Sequence, residues 1–318
     1  MSKALAALIA IAVLSGGAAA AEAKVWKIAY VSWDRSWNID PLRQGLAKLG
    51  YVEGRNIEIE SYFTDGDRAR TREVIAKLVK EPVDLLIVNA TPAIQIAKET
   101  TQTIPIVMAA TADALATGLV ASLSHPGGNI TGLSMLMPDL AGKRLQLLHD
   151  IRPSLRSIAF LASSRDPNAA TFIRQTREAA AQIGIGLSVR SIDSPAGIDD
   201  KLFAAMQHDG VEAVIVQPIF TSHHKQIVEL ATEHRLAVVA DFPQFPEDGG
   251  LLSYGAVLGW GQRRAPSYID KILKGAKPAD LPIEQPTEFQ LVINLRAAKA
   301  LGWTVPQSVL MRADRVIE

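Results

Sequence analysis

Apolar positions along this chain follow two rhythms that alternate. Short β-type runs begin near Lys27, Asn56, Asp84 and Ile104, and a second set begins near Ser157, Gly186, Glu212 and Leu236. Corresponding runs lie about 130 residues apart, so the chain repeats one layout twice. KIAYVS (27–32), DLLIVN (84–89) and IPIVMAA (104–110) read as buried strands, whereas IEIESYF (57–63) alternates as a half-exposed strand does. SIAFLAS (157–163), AVIVQP (213–218) and AVVADF (237–242) repeat the buried type, and LSVRSI (187–192) the alternating type. The segments between them carry helical spacing. Leu42, Leu46 and Leu49 share one face before Gly50, Val74, Ile75, Leu78 and Val79 form a stripe, and Leu202, Phe203 and Met206 form another. Thr91-Pro92 predicts a helix start with Thr91 as cap, and Asp166-Pro167 predicts another. Strand and helix in strict alternation predict an α/β protein with a parallel, doubly wound sheet in each of two lobes.

Three stretches read as crossings between the lobes: NITGLSM (129–135), GGLLSYG (249–255) and EQPTEFQ (284–290). They divide the chain into a first lobe of 24–132 plus 254–284 and a second of 133–253 plus 285–318. Residues 1–23 read as a removable secretory signal peptide. Lys3 gives the positive start, 4–14 (ALAALIAIAVL) an apolar run too short to span a bilayer, and Ala18 to Ala21 the small residues for cleavage. The chain has no cysteine, which excludes disulfides, thiolate metal sites, a cysteine nucleophile and a cysteine-linked lipid anchor. An exported, unanchored protein of the periplasm is expected. A formal net charge of zero gives no basic excess for nucleic acid.

Ligands of open parallel sheets sit beyond the carboxyl ends of the strands. That rule selects Ser32, Trp33, Asp34, Asn89, Ala90, Thr91, Thr111 and Asp113 from the first lobe, and Ser163, Ser164, Asn168, Gln217, Phe220, Asp241 and Phe242 from the second. Tyr254 is placed on a crossing. Asn89-Ala90-Thr91-Pro92 is the best anion site, because first-turn N–H groups and the helix dipole attract a carboxylate. Asp113 and Asp241 are candidates for an ammonium group, and Trp33 and Phe242 for stacking on an aromatic ligand.

Enzyme chemistry finds little footing. There is no G-x-G-x-x-G after a strand, no phosphate loop and no G-x-S-x-G elbow. His224 and His234 stand ten residues apart on one predicted helix, about 15 Å along its axis, too far to share a metal ion. No catalytic residue, metal or cofactor is expected.

LGYVEGRNI (49–57), GLVASLSHPGGNITG (118–132), YIDKILKGAKPADLPIEQPT (268–287), LVINLRAAKALG (291–302) and RADRVIE (312–318) closely resemble the ABC-transporter substrate-binding proteins that include the tryptophan and tyrosine uptake proteins. The resemblance implies a type I periplasmic binding fold: two Rossmann-like lobes, a three-segment hinge and a ligand in the cleft. It further implies a monomer that captures a small carboxylate-bearing solute, an amino acid or aromatic compound, and delivers it to an ABC permease with its ATPase subunit. Presentation of the ligand to a membrane receptor is the alternative use of the same cleft. The chain departs from the family pattern where Ala114 follows Asp113 in place of Pro, and where AVLGW (256–260) replaces acidic positions.

Overall fold

The computed structural model describes residues 24–318, so the predicted signal peptide lies outside the described residues. The first lobe is built on β1 (Trp26–Ser32), α1 (Asp40–Lys48), β2 (Ile57–Phe63), α2 (Arg68–Lys80), β3 (Leu85–Asn89), α3 (Thr91–Thr100), β4 (Ile106–Thr111) and β5 (Ile130–Ser134). Its five strands form one parallel sheet in the order β2-β1-β3-β4-β5. β3 and β4 are buried along their whole length, which is why their sequences are continuously apolar. β2 is the edge strand and keeps its glutamates toward water.

The second lobe follows with α4 (Ala141–Ile151), β6 (Ser157–Ser163), α5 (Ala169–Gln182), β7 (Gly186–Ile192), α6 (Asp200–His208), β8 (Ala213–Val216), α7 (His224–Glu233), β9 (Ala237–Ala240), α8 (Gln244–Glu247) and β10 (Leu252–Ala256). The chain then returns to the first lobe for α9 (Trp260–Leu273). It comes back for β11 (Phe289–Asn294), α10 (Leu295–Ala300), α11 (Gln307–Leu310) and β12 (Arg315–Ile317). The second sheet has the order β12-β11-β10-β9-β8-β6-β7. It is parallel from β7 to β10, but β11 runs antiparallel to β10 and carries β12 with it, a reversal beyond the parallel pattern expected from the sequence.

Close packing fixes α9 against the first sheet. A Cβ at Gly261 would sit 1.8 Å from the Ala109 carbonyl oxygen, so only glycine lets this helix start so near β4. A Cβ at Gly45 would sit 2.5 Å from Cγ of Pro266, so α1 leaves out a side chain where the α9 proline ring seats. Beyond α9, the chain pairs with β5: the Glu284 N–H donates to the Gly132 carbonyl, and the Ser134 N–H to the Glu284 carbonyl, at 3.0 Å each.

The crossings therefore fall at 135–137, 257–259 and 285–288. Most of NITGLSM is β5, inside the first sheet, and GGLLSYG runs into β10 in the second sheet. The first-lobe segment continues through Ser134, past the expected boundary at 132, and the second-lobe segment continues through Ala256, past 253. The reason is pairing: both stretches complete the hydrogen-bond ladder of a neighbour before the chain leaves the sheet. Among the described residues no helix is long and apolar enough to cross a membrane.

Candidate functional site

The carboxyl ends of β1, β3 and β4 face those of β6, β8 and β9 across a narrow cleft. Trp33, Asp34, Trp37, Ala90, Thr91, Ala110, Thr111 and Ala112 line it from the first lobe. Asp166, Phe172, Pro218 and Ile219 line it from the second, and Met137 lines it from the first crossing. Its walls are aromatic and aliphatic, and its polar groups are few and buried, the composition expected of a small-molecule site.

The turn into α3 is abrupt. Ala90 takes φ +67, a value alanine rarely adopts, while its N–H is held by the Ala110 carbonyl at 2.9 Å. This makes Ala90 the residue that precedes the helix. Thr91 is then its first helical residue and not the expected cap. The Thr91 hydroxyl is 2.8 Å from that of Thr111 and accepts from Nδ2 of Asn168, in the opposite lobe, at 2.6 Å. The cleft is thus bridged directly. A second bridge is aromatic: Trp37 meets Phe242 edge to face at 5.5 Å between ring centres.

Alongside Asp34, which accepts the Ser36 N–H at 2.8 Å, Asp166 is a buried carboxylate of this cleft. One carboxylate oxygen accepts the Asn168 N–H at 2.9 Å and the other accepts Nε2 of Gln217 at 2.7 Å. Both are neutral donors, and among the described residues no cation comes close enough to form an ion pair with it. Burial pushes its pKa up to about 6, with the Asn168 N–H and the more distant Arg68 pulling the other way. The expectation that Asp166 caps the following helix is not met. The residue before α5 is Asn168, and its side chain caps nothing. His223 borders the outer mouth of the cleft, and partial burial lowers its pKa against the pull of Asp34.

Of the residues selected by the strand-end rule, Trp33, Asp34, Ala90, Thr91 and Thr111 line the cleft, and Ser163 and Phe220 line its outer mouth. Ser32, Asn89 and Gln217 lie just beneath it, fully buried. The Ser32 hydroxyl donates to the Asp34 carbonyl, Asn89 Nδ2 donates to the Tyr30 hydroxyl, and Gln217 Oε1 accepts the Ser163 N–H. These three hold the floor in shape.

The remaining selections are corrected by their neighbours. Asp241 is not available to an ammonium group, because it is buried against Arg144. Burial drives the carboxyl upward in pKa and Arg144 only partly offsets this. The same guanidinium donates to the carbonyls of Tyr254 (2.9 Å) and Met137 (3.2 Å). Asp113 accepts the N–H groups of Leu115 and Ala116 at 3.0 and 2.9 Å, so its carboxylate closes a turn outside the cleft lining. Phe242 is 1% exposed and lies behind the cleft wall, with its ring against Trp37. Tyr254 is not on a crossing; it sits within β10, opposite Leu291, with its ring against Phe289. The two helix histidines are separately engaged, His224 with Asp248 and His234 with Asp200.

Sequence reasoning missed Trp37, Met137, Phe172 and the role of Asp166. Trp37 and Phe172 lie in or beyond the loops that follow β1 and β6, outside the reach of a rule that stops at strand ends. The signal for Asp166 is an acidic residue three past the end of β6, which Asp166-Pro167 disguises as a helix start.

Comparison with known proteins places this geometry. The sequence model of a family described as ABC transporter substrate binding protein matches residues 29–317. A tyrosine-binding protein of Clostridioides difficile (strain R20291) is 24% identical over 268 residues, covering 83% of this chain and 77% of its own. A Streptococcus pneumoniae ABC domain in complex with L-Trp superposes with a TM-score of 0.85 at 28% identity, covering 92% of this chain and 100% of that one. A conserved domain protein of Vibrio cholerae O1 biovar El Tor has a TM-score of 0.86 at 28% identity, with the same coverage.

Proposed function

Because the chain belongs to the family of ABC transporter substrate-binding proteins, we propose that it captures an aromatic amino acid between its lobes and hands it to the permease of an ABC importer. The lobes that close on the ligand are 24–134 with 260–284, and 138–256 with 289–318. The observation that carries this reading is the separation of chemistries in the cleft. Hydroxyls of Thr91, at the start of α3, and Thr111, at the end of β4, suit a carboxylate, Asp166 suits an ammonium group, and Trp33, Trp37 and Phe172 form the apolar wall for a ring. The named ligands of the relatives, tyrosine and L-Trp, fit the same division.

Contacts from both lobes are complete only when the cleft is closed, so binding favours closure, and the closed shape is what a permease would recognise. The task requires no bond to be made or broken. An importer role and the leader read from residues 1–23 both support a periplasmic location.

The test is a thermal-shift screen of the 24–318 protein against the amino acids and aromatic acids, followed by calorimetry on hits. A ligand at about a thousand times its dissociation constant stabilises by about 4 kcal/mol, which moves the melting point by several degrees. Aromatic amino acids are expected to give the largest shifts. Shifts only with non-amino aromatic acids would remove the ammonium role of Asp166, and no shift with any aromatic amino acid would overturn the ligand class.

A further inference from the structure

The bridge between the lobes has a direction, and the direction can be read from donors and acceptors. Thr91 Oγ1 accepts Nδ2 of Asn168 at 2.6 Å and lies 3.5 Å from the Ala112 N–H, at the limit of a hydrogen bond. With the Asn168 amide placed so that Nδ2 faces Thr91 and Oδ1 is buried without a partner, both neighbours are donors. The Thr91 proton therefore has one acceptor within reach, the Thr111 oxygen at 2.8 Å. Thr111 then accepts from Thr91, and its own proton must point elsewhere. Thr111 is 2% exposed and lines the cleft, so that proton needs an acceptor in the cleft. Asn168 is fully buried at the seam.

We propose that Asn168 is a positioning residue: on closure it orients a Thr91–Thr111 hydroxyl relay so that Thr111 offers its proton to a ligand carboxylate. With the lobes apart, Asn168 is withdrawn and the two threonine hydroxyls can share their protons either way. Closure thus does more than surround the ligand. It turns an indifferent pair of hydroxyls into a fixed donor, and the domain motion itself selects for an anion. This inference rests on reading the cleft as a carboxylate site, and goes beyond it by assigning the origin of the selectivity to a residue of the opposite lobe.

The test is a set of double-mutant cycles read by calorimetry with L-tryptophan and L-tyrosine. Asn168→Asp keeps the shape but replaces the donor by an acceptor. Thr91 must then donate to it and accept from Thr111, so the Thr111 lone pairs face the ligand. Loss of a hydrogen bond to a charged group predicts weakening of about tenfold to a hundredfold. Part of that loss comes from the added charge alone, and Thr111→Val isolates this part because the relay has no end there. The relay requires Asn168→Asp to cost at least about fivefold more in the native background than in Thr111→Val. Equal losses in both backgrounds would overturn it.

Asn168→Leu removes the donor without adding charge and serves if the aspartate variant does not fold. It should weaken binding by up to about tenfold, and this effect should vanish in Thr91→Val. An undiminished effect there would refute the relay. If the unmodified protein binds neither L-tryptophan nor L-tyrosine, the ligand class proposed above fails and the relay falls with it. If it binds and the cycles show no coupling, the relay alone fails.

Discussion

Replacing Asp166 by asparagine separates what this carboxylate costs the empty protein from what it gives the ligand. Its pKa of about 6, against 3.8 for an ordinary aspartate, means that holding the ionised form in the closed cleft costs about 3 kcal/mol. Between pH 4 and 6 the folded protein binds more protons than the unfolded chain. Stability therefore falls as pH rises through this window and is level above it. In Asp166→Asn that slope should disappear. The asparagine oxygen can accept only one of the two present donors well, Asn168 N–H or Gln217 Nε2, and the lost bond costs about 1 kcal/mol. The ligand-free variant should thus be about 2 kcal/mol more stable than the native protein at pH 7.5, measured by urea unfolding. Binding should move the other way. An ammonium group paired with the carboxylate contributes about 1.5–3 kcal/mol, so affinity for an aromatic amino acid should drop about tenfold to a hundredfold, while a des-amino analogue binds no worse. Native affinity should itself decline as pH is lowered below 6, and the variant should show no such decline. Calorimetry at pH 7.5 and 5.0 reads both effects. Unchanged amino-acid affinity in the variant would refute the assignment, whatever happened to stability.

Two further outcomes are expected. Arg144→Met strands Asp241 in the core and should destabilise the protein by about 3–5 kcal/mol in denaturant unfolding, whereas Arg144→Met with Asp241→Leu should recover most of that loss. Trp37→Ala removes the edge-to-face contact with Phe242, worth about 0.5–1.5 kcal/mol, and should enlarge the radius of gyration of the ligand-free protein in X-ray scattering.

The strands were readable because each carries a rhythm that burial imposes: continuous apolarity in β3 and β4, alternation in β2. The two-lobed layout was readable because that rhythm repeats. The reversal of β11 was not, since an apolar run does not encode its direction. In the site, the strand-end rule found Trp33, Ala90, Thr91 and Thr111, whose positions follow from the sheet alone. It failed for Asp113 and Asp241, because a carboxylate at a strand end looks the same whether it faces a ligand, a turn or an arginine. The partner that claims Asp241 is Arg144, on a helix 97 residues earlier. Nothing local to either residue announces the pair. Trp37 was missed because its value lies in Phe242, across the cleft, and Asp166 because Asp166-Pro167 reads as a helix start.

The return of α9 to the first sheet has a consequence for the order in which the molecule can be made. The groove between α1 and β4 stays uncovered until Trp260–Leu273 has been synthesised, and the second sheet waits longer still for β11 and β12. Domains that fold as they emerge do so when their sequence is contiguous. Here neither half is contiguous, so a growing chain holds no finished lobe until most of it exists. A polypeptide arranged in this way stays without a complete lobe for nearly the whole of its synthesis, and its cooperative folding waits for the last strands.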